Sequence, residues 1–277
     1  MLVTLNEVLH KAREGGYAVG LFNATDSDML EATISAAEEL RSPIIIGTAE
    51  VLLPFGELDL IAPGMIAAAK RASVPVVVHY DHGLTKQRCL QALDLGFSSI
   101  MFDGSANSPE QNLADTYEMT KIAHQKGASI EGEIGHVGDA AAVDNAVDRY
   151  TTVEEAKNFL DATGVDALAI AIGTAHGAYK QKPKLDFDRL AQIKSAVDVP
   201  LVLHGGSGLA DIDFITAISK GISKVNIFTD LCLAGSAAVK ESVLADDDYL
   251  ITRNLKVKAI KEAVMKKMML FGSQNKA

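Results

Sequence analysis

The chain has 277 residues, of which 48% are hydrophobic and only 5% aromatic, and its formal net charge at pH 7 is −10. This composition is typical of a folded domain with an aliphatic core and excludes a disordered chain, while the acidic balance argues against nucleic-acid binding. The two cysteines are too few for a disulfide framework or a thiolate zinc site. The N-terminus does not resemble a signal peptide, and no apolar run is long enough to span a membrane. We therefore expect a single cytoplasmic domain covering residues 1–277.

Strand-like and helix-like segments alternate along the chain. Near-continuous runs of Val, Ile, Leu and Ala are typical of parallel strands covered on both faces, and they predict strands at residues 17–23, 42–48, 74–80, 98–104, 128–135, 167–174, 199–205 and 224–230. Helices are predicted at residues 2–15, 28–40, 109–126, 153–163, 231–244 and 251–270. Thr152 and Glu155 predict a capping box at the start of the fourth of these helices.

The alternation of strands and helices, with eight strands, indicates the fold. It predicts a (β/α)8 TIM barrel, an α/β fold, with an N-terminal helix and an additional C-terminal helix. A doubly wound open sheet is the rival. It is disfavoured because it would not bring residues from strands 3, 6, 7 and 8 together.

Three histidines lie at, or just past, the C-terminal ends of predicted strands: His82, His176 and His204. In a parallel barrel all these ends face one mouth, so the three side chains are expected to meet. Three neutral imidazoles with one open position form the ligand set of a catalytic zinc, and Asp81 offers a proton-transfer group beside it. A lone histidine is more often a hydrogen-bonded core or surface residue, but three at corresponding positions favour a metal site. His79 is expected to support the site or to lie in the core.

Two glycine-rich segments, 173–177 and 204–208, each follow a strand and contain one of these histidines. Glycines let backbone N–H groups approach an anion, and the loops after strands 7 and 8 are the usual phosphate site of this barrel. Ser207 adds a hydroxyl group. Along strand 8, Asn226 is expected to point into the mouth and Thr229 to complete the phosphate cradle.

Asp103, Glu131 and Glu133 are carboxylates near the ends of strands 4 and 5. A carboxylate inside an apolar strand is costly unless it is paired or bound to a cation. These groups are expected to orient histidines, to bind a second cation or to form buried ion pairs, and the residues alone leave the three roles open. A lysine Schiff base would be the main alternative to a metal for activating a ketone, and it needs a lysine at the mouth end of a strand. This route is disfavoured because Lys224 is predicted to open strand 8, at the end away from the mouth.

The stretches VVVHYDHG, IMFDGS, EGEIGHVG, GTAHG, LHGGSG and KVNIFTD occur in the order seen in one enzyme family. Over essentially its whole length the chain resembles the class II, zinc-dependent ketose-bisphosphate aldolases, especially their shorter tagatose-bisphosphate branch. The resemblance implies one Zn2+ on His82, His176 and His204, with Asp81 as the acid–base residue. It implies a second or alternative metal at Asp103 and Glu133, and a binding site for the dihydroxyacetone-phosphate half made by Gly177, Gly205, Gly206, Ser207, Asn226, Ile227, Phe228 and Thr229. It also implies a monovalent cation such as Na+ or K+, and a homodimer or homotetramer.

The activity implied by this resemblance is reversible cleavage of a ketose (bis)phosphate to dihydroxyacetone phosphate and an aldehyde. Asp81 would remove the C4 hydroxyl proton, and the C3–C4 bond would break to give a zinc-stabilised enediolate, to which Asn226 adds a hydrogen bond. The chain departs from the fructose-bisphosphate branch at Phe228, where that branch has Asp. It departs again in the loop 136–150 after strand 5, where that branch carries an acid and this chain has no Glu. The C3 proton donor is therefore unassigned.

A second phosphate on the substrate would need a basic group. Arg253, Arg41 and Arg149 are the candidates that the sequence offers, and none is strongly indicated. Two other functions stay open at this point. One is a metal-dependent barrel hydrolase, which is disfavoured because strand 1 has no His-x-His pair. The other is a non-catalytic sugar-phosphate-binding subunit, disfavoured because binding alone does not require Asp81 beside His82.

Overall fold

A computed structural model of the chain describes residues 1–135, 150–177, 179 and 183–277. Eight parallel strands, each hydrogen-bonded to the next and the last to the first, close into a barrel. They are β1 (Val19–Asn23), β2 (Ile44–Ala49), β3 (Val76–Gly83), β4 (Ser99–Phe102), β5 (Ser129–Ile134), β6 (Ala167–Ile170), β7 (Leu201–Leu203) and β8 (Ile222–Ile227). The predicted (β/α)8 barrel is confirmed.

Ten described helices surround this barrel or close it. They are α1 (Leu5–Gly15), α2 (Ser27–Leu40), α3 (Leu58–Arg71), α4 (Lys86–Leu95), α5 (Pro109–Gln125), α6 (Val153–Thr163), α7 (Phe187–Ala196), α8 (Asp211–Ser219), α9 (Thr229–Leu244) and α10 (Tyr249–Phe271). A short 3-10 helix, Glu50–Phe55, follows β2. Thr152 and Glu155 form the predicted capping box at the start of α6. None of these helices is both long enough and apolar enough to cross a bilayer.

The N-terminal helix α1 closes the end of the barrel opposite the mouth. Its buried face packs on inward-pointing aliphatic residues of the strands, and together they form one apolar cluster: Leu5, Val8, Leu9, Ala12, Tyr17, Val19, Leu21, Ile45, Val77, Ala167, Ala169 and Val202. Because this layer fills the floor of the barrel, any polar chemistry inside must lie above it, nearer the C-terminal ends of the strands.

The C-terminal helix α10 packs against α2 and α9 on the outside of the barrel. Backbone hydrogen bonds attach its far end to the start of β1, where Ala18 N donates to Phe271 O at 3.0 Å. The residues that follow continue this attachment, since Asn275 N donates to Leu40 O at 2.9 Å. The predicted additional C-terminal helix is therefore an integral part of the wall.

The predicted extent of strand 8 is wrong at both ends. The strand begins at Ile222, two residues earlier than expected, and ends at Ile227. Phe228 is the N-cap of α9, and Thr229 is its first residue, so the strand alternation does not continue to Asp230. The physical reason is that the N–H groups of Phe228 and Asp230 donate to the Ser207 hydroxyl, each at 3.3 Å, instead of to a neighbouring strand.

Candidate active site

Polar side chains fill the barrel above its apolar floor because alternate residues of each strand point inward. On β3, Val77 belongs to the floor, and His79 and Asp81 follow it at the same parity, both buried. Glu131 of β5 and Lys224 of β8 lie at the level of His79, and all three are fully buried. The interior thus changes from aliphatic to charged within about two residues along the strands.

The backbone at His82 breaks the alternation of β3. Its φ is +44°, in the left-handed region that β-strands do not use, and the pairing of β3 with β4 shifts register between Tyr80 and Gly83. As a result Asp81 and His82, which are adjacent in sequence, both line the cavity at the mouth of the barrel. A non-glycine residue at positive φ is uncommon, and such conformations cluster at functional sites.

The imidazoles of His82, His176 and His204 meet at this mouth. Their ring centroids are 4.7 Å apart for His82 and His176, 4.4 Å for His82 and His204, and 5.9 Å for His176 and His204. One nitrogen from each ring lies within 4.8 Å of the others. The nitrogens His82 Nε2 and His176 Nε2 are buried and have no hydrogen-bond partner. Unsatisfied buried polar atoms are rare, and here they indicate a site for a ligand.

Carboxylates orient two of the three rings. His82 Nδ1 lies 2.7 Å from Asp103 Oδ2, which leaves its Nε2 facing the other histidines. His204 Nε2 lies 2.8 Å from Glu131 Oε1, which leaves its Nδ1 on the open side, 3.1 Å from the Asn226 amide nitrogen. Metal-binding histidines commonly donate their second N–H to a carboxylate, which fixes the tautomer. The donor set and these partners therefore fit a zinc ion.

The pKa values of the histidine rings are shifted in different directions when no metal is bound. Burial lowers the pKa of His82, but the neighbouring Asp81 and the hydrogen bond to Asp103 outweigh it and raise that pKa to about 9. Burial and the positive charge on His82 lower the pKa of His176 to about 3. The surroundings of His82 thus favour positive charge, in the place where a cation is expected.

Asp81 is held from both sides by amides. Its Oδ2 accepts a hydrogen bond from Asn23 Nδ2 at 2.8 Å, and its Oδ1 accepts one from Asn226 Nδ2 at 2.9 Å. Burial raises the pKa of Asp81, but the nearby positive charges of His82 and Lys224 outweigh it and lower that pKa well below its usual range. The carboxylate is therefore ionised and fixed in direction beside the histidines.

Beneath this carboxylate lies a buried ion pair. Lys224 Nζ and Glu131 Oε2 are 2.7 Å apart, and both side chains are fully buried. The interpretation of Lys224 as the opening residue of strand 8 is wrong, because two strand residues precede it and its ammonium reaches the barrel interior. The open question about Glu131 is also answered, since it both orients His204 and pairs with Lys224. His79 bonds Ser99 Oγ through Nδ1 at 2.7 Å, and burial together with the charge on Lys224 lowers its pKa to about 3.

The glycine-rich loops and the N-terminus of α9 lie along one side of the same cavity. This cavity has a volume of about 510 Å³, within the usual range for small-molecule sites. All the residues that the sequence assigns to phosphate binding line it: Gly177, Gly205, Gly206, Ser207, Asn226, Ile227, Phe228 and Thr229. The positive end of the dipole of α9, a helix of 16 residues, begins at Thr229, so this side of the cavity favours an anion.

Gly205 is required by the close approach of two loops. Its φ is +66°, and a Cβ atom there would overlap the backbone carbonyl group of Ala175. We expect Gly205→Ala to displace the loop before His176 and to raise the KM for a substrate that binds an anionic group on this side of the cavity by at least about tenfold, the loss expected for one hydrogen bond to a charged group. Gly208→Ala is the matched control, because Gly208 also has a positive φ (+85°) but its added Cβ meets only the ring of Tyr179 at 3.4 Å. Equal KM values for the two variants would contradict this role.

Several other predicted residues have defined places. Asp103 and Glu133 lie with His82 in a second group whose ligand atoms are within 4.8 Å of one another, which suits the predicted second metal position.

Arg41 follows α2 and precedes β2, on the face opposite the mouth. Arg253 is paired with Asp28 and Glu31. His136, Arg149, Lys180, Lys182 and most of the loop 136–150 lie outside the described residues.

Asn23 is a site residue that sequence reasoning missed. It is the last residue of β1, it is 5% exposed, and its amide donates to Asp81. A polar residue ending an apolar strand run was the available signal, since the mouth-facing end of every barrel strand is where functional groups collect.

Known proteins resemble this chain over its whole length. Residues 3–276 match the family model for "Fructose-bisphosphate aldolase class-II". The chain is 39% identical to the protein YdjI of Escherichia coli K12 and 39% identical to a fructose-bisphosphate aldolase of Thermus caldophilus, with all of each chain covered in both cases. It is similar in structure to the YdjI aldolase of E. coli, with a TM-score of 0.90, 37% identity and full coverage of both chains.

A second solved structure, a "putative fructose-1,6-biphosphate aldolase" from Coccidioides immitis, also has a TM-score of 0.90. It is 30% identical, and the match covers 98% of this chain and 97% of that one. The barrel, the whole-length family match and the relatives above 30% identity agree. The chain belongs to the class II fructose-bisphosphate aldolase family and is therefore an aldolase, a carbon–carbon lyase.

Proposed function

We propose that the mouth of the barrel is the active site, and that the enzyme reversibly cleaves a ketose (bis)phosphate into dihydroxyacetone phosphate and an aldehyde. The observation that carries this proposal is the meeting of His82, His176 and His204 beside the ionised carboxylate of Asp81. A single domain over residues 1–277, a cytoplasmic location, a homodimer or homotetramer and a bound Na+ or K+ stay predictions. Relationship to the tagatose-bisphosphate branch within the family is likewise a prediction.

We propose that His82 Nε2, His176 Nε2 and His204 Nδ1 hold one Zn2+ per subunit. The orphaned nitrogens of the first two rings and the carboxylate partners of His82 and His204 support this assignment. When bound, zinc supplies Lewis-acid stabilisation of negative charge on the ketose oxygens. Asp103 and Glu133, with His82, are the proposed alternative or second position for a metal.

Asp81 is proposed to move the proton. It accepts the C4 hydroxyl proton of the ketose as the C3–C4 bond breaks, and it returns that proton in the synthetic direction. Asn23 and Asn226 support this role, since their amides hold one carboxylate oxygen each and prevent the group from rotating away. Asn226 also reaches His204, and it is proposed to hydrogen-bond the reacting oxygens.

The phosphate of the dihydroxyacetone-phosphate half is proposed to bind on the glycine-rich side of the cavity. Gly177, Gly205 and Gly206 allow close approach of the backbone, and Ser207 lies over the first N–H groups of α9. A phosphate there would displace the Ser207 hydroxyl from those N–H groups and gain the favourable dipole of the helix. The proposed order of groups across the mouth is thus phosphate cradle, metal ligands and Asp81.

The experiment that tests this proposal is a cleavage and synthesis assay on the purified protein. Activity should vanish when a chelator removes the metal, should return with one equivalent of Zn2+, and should survive borohydride in the presence of dihydroxyacetone phosphate. Activity that resists the chelator but is lost to borohydride would indicate a lysine Schiff base and would overturn the proposal. Ester or amide hydrolysis without carbon–carbon cleavage, or zinc binding without turnover, would likewise contradict the proposal.

A further inference from the structure

The cavity at the mouth has two chemically different sides. The glycine-rich loops that follow β6 and β7 and the N-terminus of α9 bound one side. The other is bounded by an apolar wall, which we define as four cavity-lining residues: Ala49, the last residue of β2, Val51 and Leu52, which follow it, and Leu84, which follows β3. In a closed eight-stranded barrel β2 and β3 lie across from β6 and β7. The apolar wall therefore faces the proposed phosphate cradle across the metal ligands.

We infer that this wall receives the aldehyde half of the substrate, and that this half carries no phosphate group. The inference rests on the proposed function, because it assigns the second half of a substrate whose first half is dihydroxyacetone phosphate. The substrate class is then a ketose 1-phosphate whose far end is uncharged, and the acceptor in the synthetic direction is an uncharged aldehyde. The wall residues determine this specificity by packing on the carbon chain.

A carboxylate fixes the apolar wall in place. Glu50 Oε2 accepts a hydrogen bond from Leu84 N at 2.8 Å and from Thr85 N at 3.2 Å, and its Oε1 accepts one from Thr85 Oγ1 at 3.1 Å. These bonds join the 3-10 helix that carries Val51 and Leu52 to the loop that carries Leu84. The two parts of the wall are therefore pre-organised relative to each other before any substrate binds.

The same carboxylate opposes a second phosphate. A phosphate at this end would need backbone N–H groups or a cation, and Glu50 already accepts the N–H groups of Leu84 and Thr85. Its own negative charge would in addition repel the phosphate. The 17 described residues that line the cavity include no Lys or Arg.

The described basic residues that follow Leu84 most closely in sequence are paired with carboxylates. Lys86 Nζ lies 2.7 Å from Asp115 Oδ1 and also contacts Glu118, and Arg88 Nη1 lies 3.2 Å from Glu57 Oε1. These are the first two basic residues after Leu84.

On the next part of the rim, Arg253 is paired with Asp28 and Glu31, and Lys256 lies 2.7 Å from Asp28 Oδ2. Of the three arginines that the sequence offered for a second phosphate, Arg41 is on the wrong face, Arg253 is paired with two carboxylates, and Arg149 lies outside the described residues. The described part of the chain thus supplies one anion-binding end and one apolar end.

The test compares two aldehydes that differ only in the phosphate: D-glyceraldehyde and D-glyceraldehyde 3-phosphate, each with dihydroxyacetone phosphate and the zinc-loaded enzyme. We expect kcat/KM to be at least tenfold higher for glyceraldehyde. In the series acetaldehyde, propanal and butanal, each added methylene should raise kcat/KM about twofold to fourfold because it packs on the wall. A value of kcat/KM higher for the phosphorylated aldehyde would overturn the inference while leaving the proposed function intact.

The variant Val51→Lys tests the apolar wall directly by placing a cation on it. The new ammonium at the wall should raise kcat/KM for glyceraldehyde 3-phosphate at least tenfold and lower that for butanal. Val243→Lys is the control, because Val243 lies near the end of α9 away from the cavity and has nearly the same exposure, 66% against 62% for Val51. Equal effects of the two lysines would overturn the inference. Failure to join either aldehyde to dihydroxyacetone phosphate would instead overturn the proposed function, and the inference with it.

Discussion

Asp81→Asn should lower kcat for ketose cleavage about 10²-fold to 10⁴-fold, the range for loss of a positioned acid–base group. An amide cannot accept the C4 hydroxyl proton at neutral pH, so the step that breaks the C3–C4 bond loses its base. Zinc content should not change, because the ligands proposed for the metal are histidine nitrogens. Measurement of kcat together with metal content per subunit separates this effect from loss of the ion.

The variant is expected to fold because its new N–H₂ group can be accommodated. Asn23 and Asn226 now donate to Asp81, and each has an amide oxygen that is buried without a partner. Rotation of either amide by about 180° would let that oxygen accept the new donor. Asp94→Asn is the control, since Asp94 is 67% exposed and pairs with Lys126 on the outer surface. A kcat for Asp81→Asn within tenfold of the unaltered enzyme would remove Asp81 from the mechanism.

Lys224→Met should lower the free energy of unfolding by about 3–5 kcal/mol, the cost of leaving one partner of a buried ion pair alone. Glu131 is fully buried, and Lys224 is the cation nearest to it, with Nζ 2.7 Å from Oε2. Urea denaturation at neutral pH measures the loss. The exposed Lys258→Met is the matched control and should change stability by less than about 0.5 kcal/mol.

The double variant Lys224→Met, Glu131→Gln should recover most of the loss. It removes both charges, and the amide oxygen that replaces the carboxylate at position 131 still accepts a hydrogen bond from His204 Nε2. In the single variant, burial raises the pKa of Glu131 once the ammonium is gone, so the destabilisation should be smaller at about pH 5 than at about pH 8. A double variant less stable than Lys224→Met would show that Glu131 is not the source of the penalty.

The sequence was sufficient for the fold and for the proposed metal ligands. Apolar runs of near-constant length, separated by helical patterns, are local signals, and their count of eight determined the architecture. His82, His176 and His204 were recognised because all strand ends of such a barrel face one mouth. Their convergence within 4.8 Å is therefore a consequence of topology rather than of any local motif.

What the sequence did not predict depends on contacts between distant residues. The positive φ of His82 lets two adjacent residues face the same cavity, and strand parity alone forbids that arrangement. Lys224 and Glu131 are 93 positions apart, so their pairing becomes visible only when β5 and β8 close around one interior. The predicted range of strand 8 runs past its true end because the Ser207 hydroxyl, on another loop, accepts the N–H groups of Phe228 and Asp230.

Anomalous diffraction at the zinc edge, from crystals of the protein loaded with one equivalent of Zn2+, tests the central claim most directly. The account predicts one strong peak per subunit, about 2.0–2.1 Å from a nitrogen of each of His82, His176 and His204. The Asp81 carboxylate should be adjacent but not bonded to the ion. A zinc position away from this trio, or one bonded to fewer than two of its rings, would contradict the account.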